Sequence, residues 1–405
     1  MIGNGLRTPD GFRDYLPKEY FFKRRVEETL ESVFNGYGYS SVNTPTLEYA
    51  EVFADKGSTD LKQTYRMIDQ EGNLLALRPD LTPAIARIVA ANYPDCRRPL
   101  RFCYVQNVYR CSPSYQGRVR EITQGGIELI GATSGEADAE TLAVAIDALL
   151  KSGMEDFRID VGQVRFLEGM LEESGLDPHM RDTLRERVIA RDFVAAERIG
   201  RELNVPPNMH RMLSDLPLFC GGAEILDAAL NETECEKSRE ALANLKNIHS
   251  ALEDYGFEKY VLFDLSMAGN MDYYTGIIFK GYASGLGFSI LDGGRYDSLL
   301  SRFGTDRPAV GFIIKVHNLM DALEKQNGRE HLPGVDFLIA WNRDGRRAAF
   351  EEASRLRADG LRVVCAHAAC EADAVVGSAR GLNVKNALYF DGREAKLFAA
   401  EDGSF

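Results

Sequence analysis

The sequence predicts an α+β fold: an antiparallel sheet flanked by helices, with a helical insertion and a small C-terminal α/β unit. Three observations lead there. Arg101–Gly131 reads as strand, loop, strand. RFCYVQNVYR and EITQGGIELI mix aromatic and β-branched residues, and the segment between them carries Ser112, Pro113, Ser114 and Gly117. Residues from about 164 to 256 read as helices throughout, with apolar positions at helical spacing broken by glycine, proline or asparagine. From Tyr260 the stretches VLFDLS, YYTGIIFKGY and GFSILDGGRYD alternate or run apolar, as antiparallel strands do. With 405 residues the chain is long enough for two or three domains with a substantial core.

The elements follow in order. Phe22, Val26, Leu30 and Val33 recur at helical spacing and predict a helix over Lys18–Asn35, with Gly36 as its stop. Val42–Tyr49 reads as a strand. A second helix is expected over Leu81–Ala91, behind Arg78-Pro79-Asp80. A third is expected over Gly135–Ser152, which is rich in helix formers. Phe157–Gln163 returns as a strand. The charges of the helical block read as a solvated face. Gly285–Gly287 reads as a hairpin turn, and Gly293-Gly294 as a turn or as a close approach of backbone to a ligand. The tail from Pro333 alternates: strand Val335–Trp341, an amphipathic helix ending at Gly360, strand Leu361–His367 and strand Asn386–Gly392. Strand, helix, strand predicts a parallel pair with a right-handed crossover. The expected domains are therefore 1–325, containing the insertion 164–256, and 333–405.

Composition excludes more than it assigns. A net charge of −13 gives no encouragement to a large nucleic-acid footprint, which needs lysine and arginine against phosphates. The seven cysteines are odd in number and form no C-x-x-C, and the histidines are scattered, so neither a disulfide framework nor a metal site is expected. No apolar run approaches a membrane span, and the N-terminus has no apolar signal core; the cytosol is the expected location. No P-loop is present, and no dinucleotide fingerprint follows a strand.

The chemistry concentrates on the Arg101–Gly131 hairpin. Arg110, Arg118 and Arg120 cluster at its loop, where guanidinium forks can hold a phosphate or carboxylate. Gln124 and Glu128 lie four apart on the second strand and so share one face. An amide and a carboxylate side by side suit a small zwitterion such as an amino acid.

That hairpin resembles motif 2 of the class II aminoacyl-tRNA synthetases, specifically the histidyl enzyme. TPDGFRDYLP (Thr8–Pro17) resembles its opening, and VNTPTLEY (Val42–Tyr49) its motif 1 strand. LRPDLTP (Leu77–Pro83) resembles the segment that binds the amino group of histidine. MDYYTGIIF (Met271–Phe279) and GGRYDSLLSRFG (Gly293–Gly304) resemble the two histidine-specific motifs. AVGFIIKVHNL (Ala309–Leu319) stands in the place of motif 3. The resemblance implies a class II core that dimerises through the first helix and the motif 1 strand. It also implies a histidine-like pocket of Asp80, Thr82, Arg110, Gln124, Glu128, Tyr273, Tyr274 and Arg295.

The departures from that pattern point elsewhere. Where the synthetase orients ATP with an acidic residue, this chain has Ser112. Asn318 and His317 stand at the motif 3 arginine and its preceding acid, and Gly269 at a catalytic arginine. Losing one charge-stabilising donor costs on the order of 100- to 1,000-fold in rate, so losing several should abolish adenylation. The chain is thus similar to the regulatory subunits of ATP phosphoribosyltransferase, paralogues of the synthetase in histidine biosynthesis. That resemblance implies a non-catalytic chain with no cofactor and no tRNA. Its partner would be the short catalytic phosphoribosyltransferase, in a hetero-oligomer (a hetero-octamer) built on homodimers, with histidine as a ligand. Two other readings stay open: an active histidyl-tRNA synthetase with unusual ATP contacts, and a free-standing amino-acid-binding protein.

Overall fold

The computed structural model describes residues 6–54, 64–111, 119–267, 274–328, 334–382 and 384–399. The chain divides into two compact units, Met1–Glu330 and His331–Phe405.

The first unit opens with helix α1 (Pro17–Gly36), whose start carries a proline where a missing N–H costs nothing. Phe22, Val26, Leu30 and Phe34 form its buried stripe. The short strands β1 (Ser40–Ser41), β2 (Leu47–Tyr49), β3 (Arg66–Ile68) and β4 (Leu74–Leu77) precede helix α2 (Thr82–Asn92). The long hairpin follows as β5 (Leu100–Tyr109) and β6 (Glu121–Ile130), then helix α3 (Gly135–Lys151) and strand β7 (Phe157–Gln163). The insertion holds α4 (Val164–Glu173), α5 (Pro178–Ile189), α6 (Phe193–Glu202), α7 (Pro207–Asp215), the two-residue strand β8 (Cys220–Gly221), α8 (Glu224–Glu232) and α9 (Glu236–Tyr255). Strands β9 (Val261–Asp264), β10 (Ile277–Ala283), β11 (Leu291–Arg295) and β12 (Ala309–Lys315) lead into α10 (Val316–Asn327).

Nine strands form one sheet in the order β1-β5-β6-β12-β11-β10-β7-β9-β8. From β5 to β7 every pairing is antiparallel, as the sequence predicts. The whole sheet is mixed, because β1 joins β5 and β9 joins β7 in parallel. Parallel neighbours need long crossovers; between β7 and β9 the helical insertion supplies one. Helices α1, α3 and α9 enclose a large apolar core with the sheet, centred on residues such as Leu30, Ile127, Leu142, Leu245 and Phe312.

Two readings need correction. Val42–Tyr49 is not one strand. Its first part continues β1 beside β5, and its last part is β2, in a separate sheet of order β2-β4-β3. Pro45 removes a ladder donor and restricts Thr44. Arg78 then holds the break, its Nη1 donating to Thr44 O at 2.6 Å and to Thr44 Oγ1 at 3.0 Å. Gly293-Gly294 is not a turn but part of β11. A Cβ on Gly294 would stand 2.7 Å from the Tyr274 ring, and one on Gly293 2.4 Å from the Phe279 ring. At Gly294 the Ile277 backbone oxygen stands closer still, at 2.6 Å, so the protein's own groups make the close approach there.

The second unit holds β13 (Val335–Trp341), α11 (Arg346–Ala358), β14 (Val363–Cys365), α12 (Ala372–Leu382), β15 (Val384–Phe390) and β16 (Ala395–Ala399). Its sheet runs β14-β13-β15-β16, with β13 parallel to both β14 and β15. Among the described residues no helix is long and apolar enough to cross a membrane.

Candidate functional site

The antiparallel strands carry small residues where a cavity of about 400 Å3 opens in the first unit. Gly311 and Gly293 contribute bare backbone to its lining. Gly311 lies directly across from Glu128 in the β12–β6 register, and a Cβ there would stand 2.0 Å from Glu128 Oε2. Glycine at that position makes room for the carboxylate.

Glu128 is buried on β6. Its Oε1 accepts from Thr82 Oγ1 at 2.8 Å and from Tyr104 OH at 3.0 Å, and its Oε2 from Tyr296 OH. Burial pushes its pKa up to about 7; the three hydroxyls oppose that rise, and neighbouring Asp80 adds to it. Asp80 sits just before α2 and accepts from Leu81 N at 2.8 Å. Burial raises its pKa too, while the Arg110 guanidinium and the backbone N–H groups at the start of α2 favour its charge. Two buried carboxyl groups that are costly to ionise thus line one cavity, and a cation beside them would stabilise their charge.

The cavity also has a strongly charged region. In register across the sheet stand Asp160 of β7, Lys280 of β10 and Asp292 of β11. Lys315 forms an ion pair with Asp292 and donates to Ser289 Oγ at 2.8 Å. Arg191, from the turn after α5, reaches the same cavity and donates through Nη2 to Asp264 Oδ2 at 2.5 Å.

Of the residues singled out from sequence, Asp80, Thr82, Arg110, Glu128 and Tyr274 meet in this one cavity. Arg110 is held by a bond from its Nε to Pro79 O at 2.9 Å. Gln124 is buried on the Glu128 face of β6, and its Oε1 has no hydrogen-bond partner among the described residues. Arg295 does not line the cavity. It turns to Asp138, donating from Nη2 at 2.6 Å and Nε at 2.9 Å, and to Ala132 O. Adjacent side chains of an extended chain take opposite sides, and Tyr296 is the one that meets Glu128. Arg120 points away toward Tyr65 OH, 3.4 Å from its Nη1. Tyr273, Ser112, Arg118 and Gly269 lie outside the described residues. Asn318 Nδ2 donates to Ser289 O at 2.7 Å, so it braces the turn before β11. His317 is held neutral: burial, then Arg13 and Lys315, lower its pKa to about 4.

Sequence reasoning missed Tyr104, Tyr296, Arg191 and the Lys315–Asp292 pair. Tyr104 carried a usable signal, since it sits on β5 opposite Gly126 in the strand pair that bears Glu128. Arg191 carried none, because its place depends on how the insertion docks.

The family model described as histidyl-tRNA synthetase matches residues 11–319. A protein of Acetivibrio thermocellus named ATP phosphoribosyltransferase regulatory subunit is 39% identical over 88% of this chain and 86% of its own. One of the same name from Caldanaerobacter subterraneus subsp. tengcongensis is 41% identical over 88% of this chain and 93% of its own. The chain belongs to the family of ATP phosphoribosyltransferase regulatory subunits. A solved structure from Bacillus halodurans C, described as an ATP phosphoribosyltransferase regulatory subunit/histidyl-tRNA synthetase, agrees with a TM-score of 0.86. It is 33% identical and covers 96% of this chain and 99% of that one. The fold of this regulatory-subunit family member is the class II synthetase-like one that its motifs resemble.

Proposed function

We propose that this chain is the non-catalytic regulatory subunit of ATP phosphoribosyltransferase in the first step of histidine biosynthesis. In this role it activates a short catalytic subunit and transmits feedback inhibition by histidine. One observation carries the reading beyond the family name. A single fold keeps the acid pair of Asp80 and Glu128 for a cation, yet holds Asn318 on the Ser289 carbonyl where a motif 3 arginine would clamp ATP. An asparagine lacks the fixed charge and forked donors of a guanidinium. Binding without adenylation fits a sensor rather than a synthetase.

The ligand we assign is histidine. A neutral or cationic amino acid would present N–H donors to Glu128, Asp80 and the unmet acceptor of Gln124, with Arg110 and Tyr274 beside them. The assembly is a homodimer that recruits the catalytic chain into a larger hetero-oligomer in the cytosol, without tRNA. Histidine-dependent ATP–pyrophosphate exchange tests the central part of this reading. We expect none above background, together with calorimetric binding of histidine that Glu128→Ala strongly reduces. Exchange at a synthetase-like rate would instead establish an active histidyl-tRNA synthetase.

A further inference from the structure

Arg191 stands in a backbone conformation that side chains resist. Helix α5 closes with paired bonds, Arg191 N to Val188 O at 2.9 Å and Asp192 N to Arg187 O at 2.9 Å. The residue at such a corner turns left-handed and is usually glycine. Here it is an arginine with φ of 56°. A left-handed backbone is disfavoured for any residue with a Cβ, which crowds the following carbonyl oxygen. Among the described non-glycine residues only Asn204 shares this conformation, and asparagine tolerates it. An observed outlier of this kind calls for a function of the side chain.

That side chain leaves the insertion and lines the cavity. Its Nη2 is anchored to Asp264, which is buried and whose other oxygen accepts from Ser266 N at 3.0 Å and Ser266 Oγ at 2.5 Å. Three other cations line the cavity among the described residues: Arg110, Lys280 and Lys315. Arg110 is held by Pro79 O and balanced by Asp80. Lys315 is bound to Asp292 and Ser289. Lys280 stands in register between Asp160 and Asp292. Arg110 and Arg191 each combine a forked group, an anchor at one nitrogen and further N–H donors with no hydrogen bond among the described residues, but only Arg191 does so from a left-handed backbone.

We propose that Arg191 contacts the ligand, its remaining guanidinium N–H groups binding the carboxylate of an amino acid whose cationic end sits with Asp80 and Glu128. The inference rests on the amino-acid site proposed above. It adds that the helical insertion forms one wall of that site, so specificity for a carboxylate comes from outside the sheet.

Calorimetry with L-histidine and with histamine, which lacks the carboxylate, tests this on the chain alone and on its complex with the catalytic subunit. Arg191→Gly suits the left-handed corner and so should fold; Arg191→Lys keeps a charge without the fork. A charge-assisted hydrogen bond lost from a site corresponds to a change of about tenfold or more in affinity. We expect the parent protein to prefer histidine over histamine by at least that factor. Arg191→Gly should lose most of the preference by weakening histidine alone, and Arg191→Lys should fall between. Equal weakening of both ligands would mark Arg191 as merely structural and overturn the proposal, as would an unchanged preference, while the amino-acid site stood. Absence of histidine binding to the parent chain and complex would overturn the site reading and this inference together.

Discussion

Glu128 carries the most testable chemistry at the scale of the single residue. Folding raises its pKa from the ordinary 4.5 to about 7, chiefly by burial. The neutral form is therefore favoured in the folded chain. Its contribution to stability is intact below about pH 4.5 and is lost as the pH rises through about 7, at about 1.4 kcal/mol for each pH unit between those values. Glu128→Gln should remove that part of the pH dependence. Denaturant unfolding of both proteins at pH 5 and pH 8 checks it: the parent should lose stability relative to the variant on going to pH 8, and parallel behaviour would contradict the buried, proton-holding carboxyl. Much of the site was legible residue by residue. Asp80, Thr82, Arg110, Glu128 and Tyr274 fall in motifs whose spacing resembles a known pocket. Tyr296 was hidden because its neighbour Arg295 drew the attention that a charge attracts, and only the strand geometry separates them. Arg191 was hidden because no local pattern announces a left-handed arginine at a helix end.

At the scale of the element, the β6–β12 pair makes the site possible. Gly311→Ala would bring a Cβ against Glu128 Oε2 and, at 2.4 Å, against Ile127 O, and the backbone oxygen cannot swing aside. We expect a loss of stability of about 1–3 kcal/mol from overpacking, with loss of histidine binding in the folded protein. Leu30→Ala offers the contrast. Leu30 is fully buried in α1, away from the lining, so its truncation should cost about 2–5 kcal/mol while the folded protein keeps its ligand affinity. Thermal melts and calorimetry on both variants separate the two kinds of damage; wild-type binding by Gly311→Ala would show that the glycine does not shape the site. The long elements were legible because their periodicity is strong: α1, α3, β7 and β13 lie within a residue or two of expectation. Short ones were not. Two-residue β8 gives no period to read, and β1 and β2 came apart at Pro45, where a proline and the Arg78 bonds outweigh a continuous β-like composition. Strand β16 and helix α12 escaped notice in a tail whose alternation was read only as far as its strongest strands.

At the scale of the whole molecule, a synthetase-like core holds a cavity lined by Asp80, Thr82, Arg110, Glu128 and Tyr274. The order of the motifs along Thr8–Leu319 made that core legible, and the family match over residues 11–319 agrees with it. The partner was not legible from patterns of burial or charge, since a docking surface for another chain reads as ordinary surface. Its identity rests on the family. Reconstitution tests it most directly: the purified chain is mixed with its cognate short catalytic phosphoribosyltransferase, the mixture is resolved by size-exclusion chromatography with light scattering, and phosphoribosyl transfer is measured with and without histidine. Co-elution as a larger hetero-oligomer, a gain in transferase activity and inhibition of that activity by histidine are expected. A catalytic chain that neither co-elutes with this protein nor changes its activity on mixing would contradict the regulatory role and leave only the synthetase-like fold.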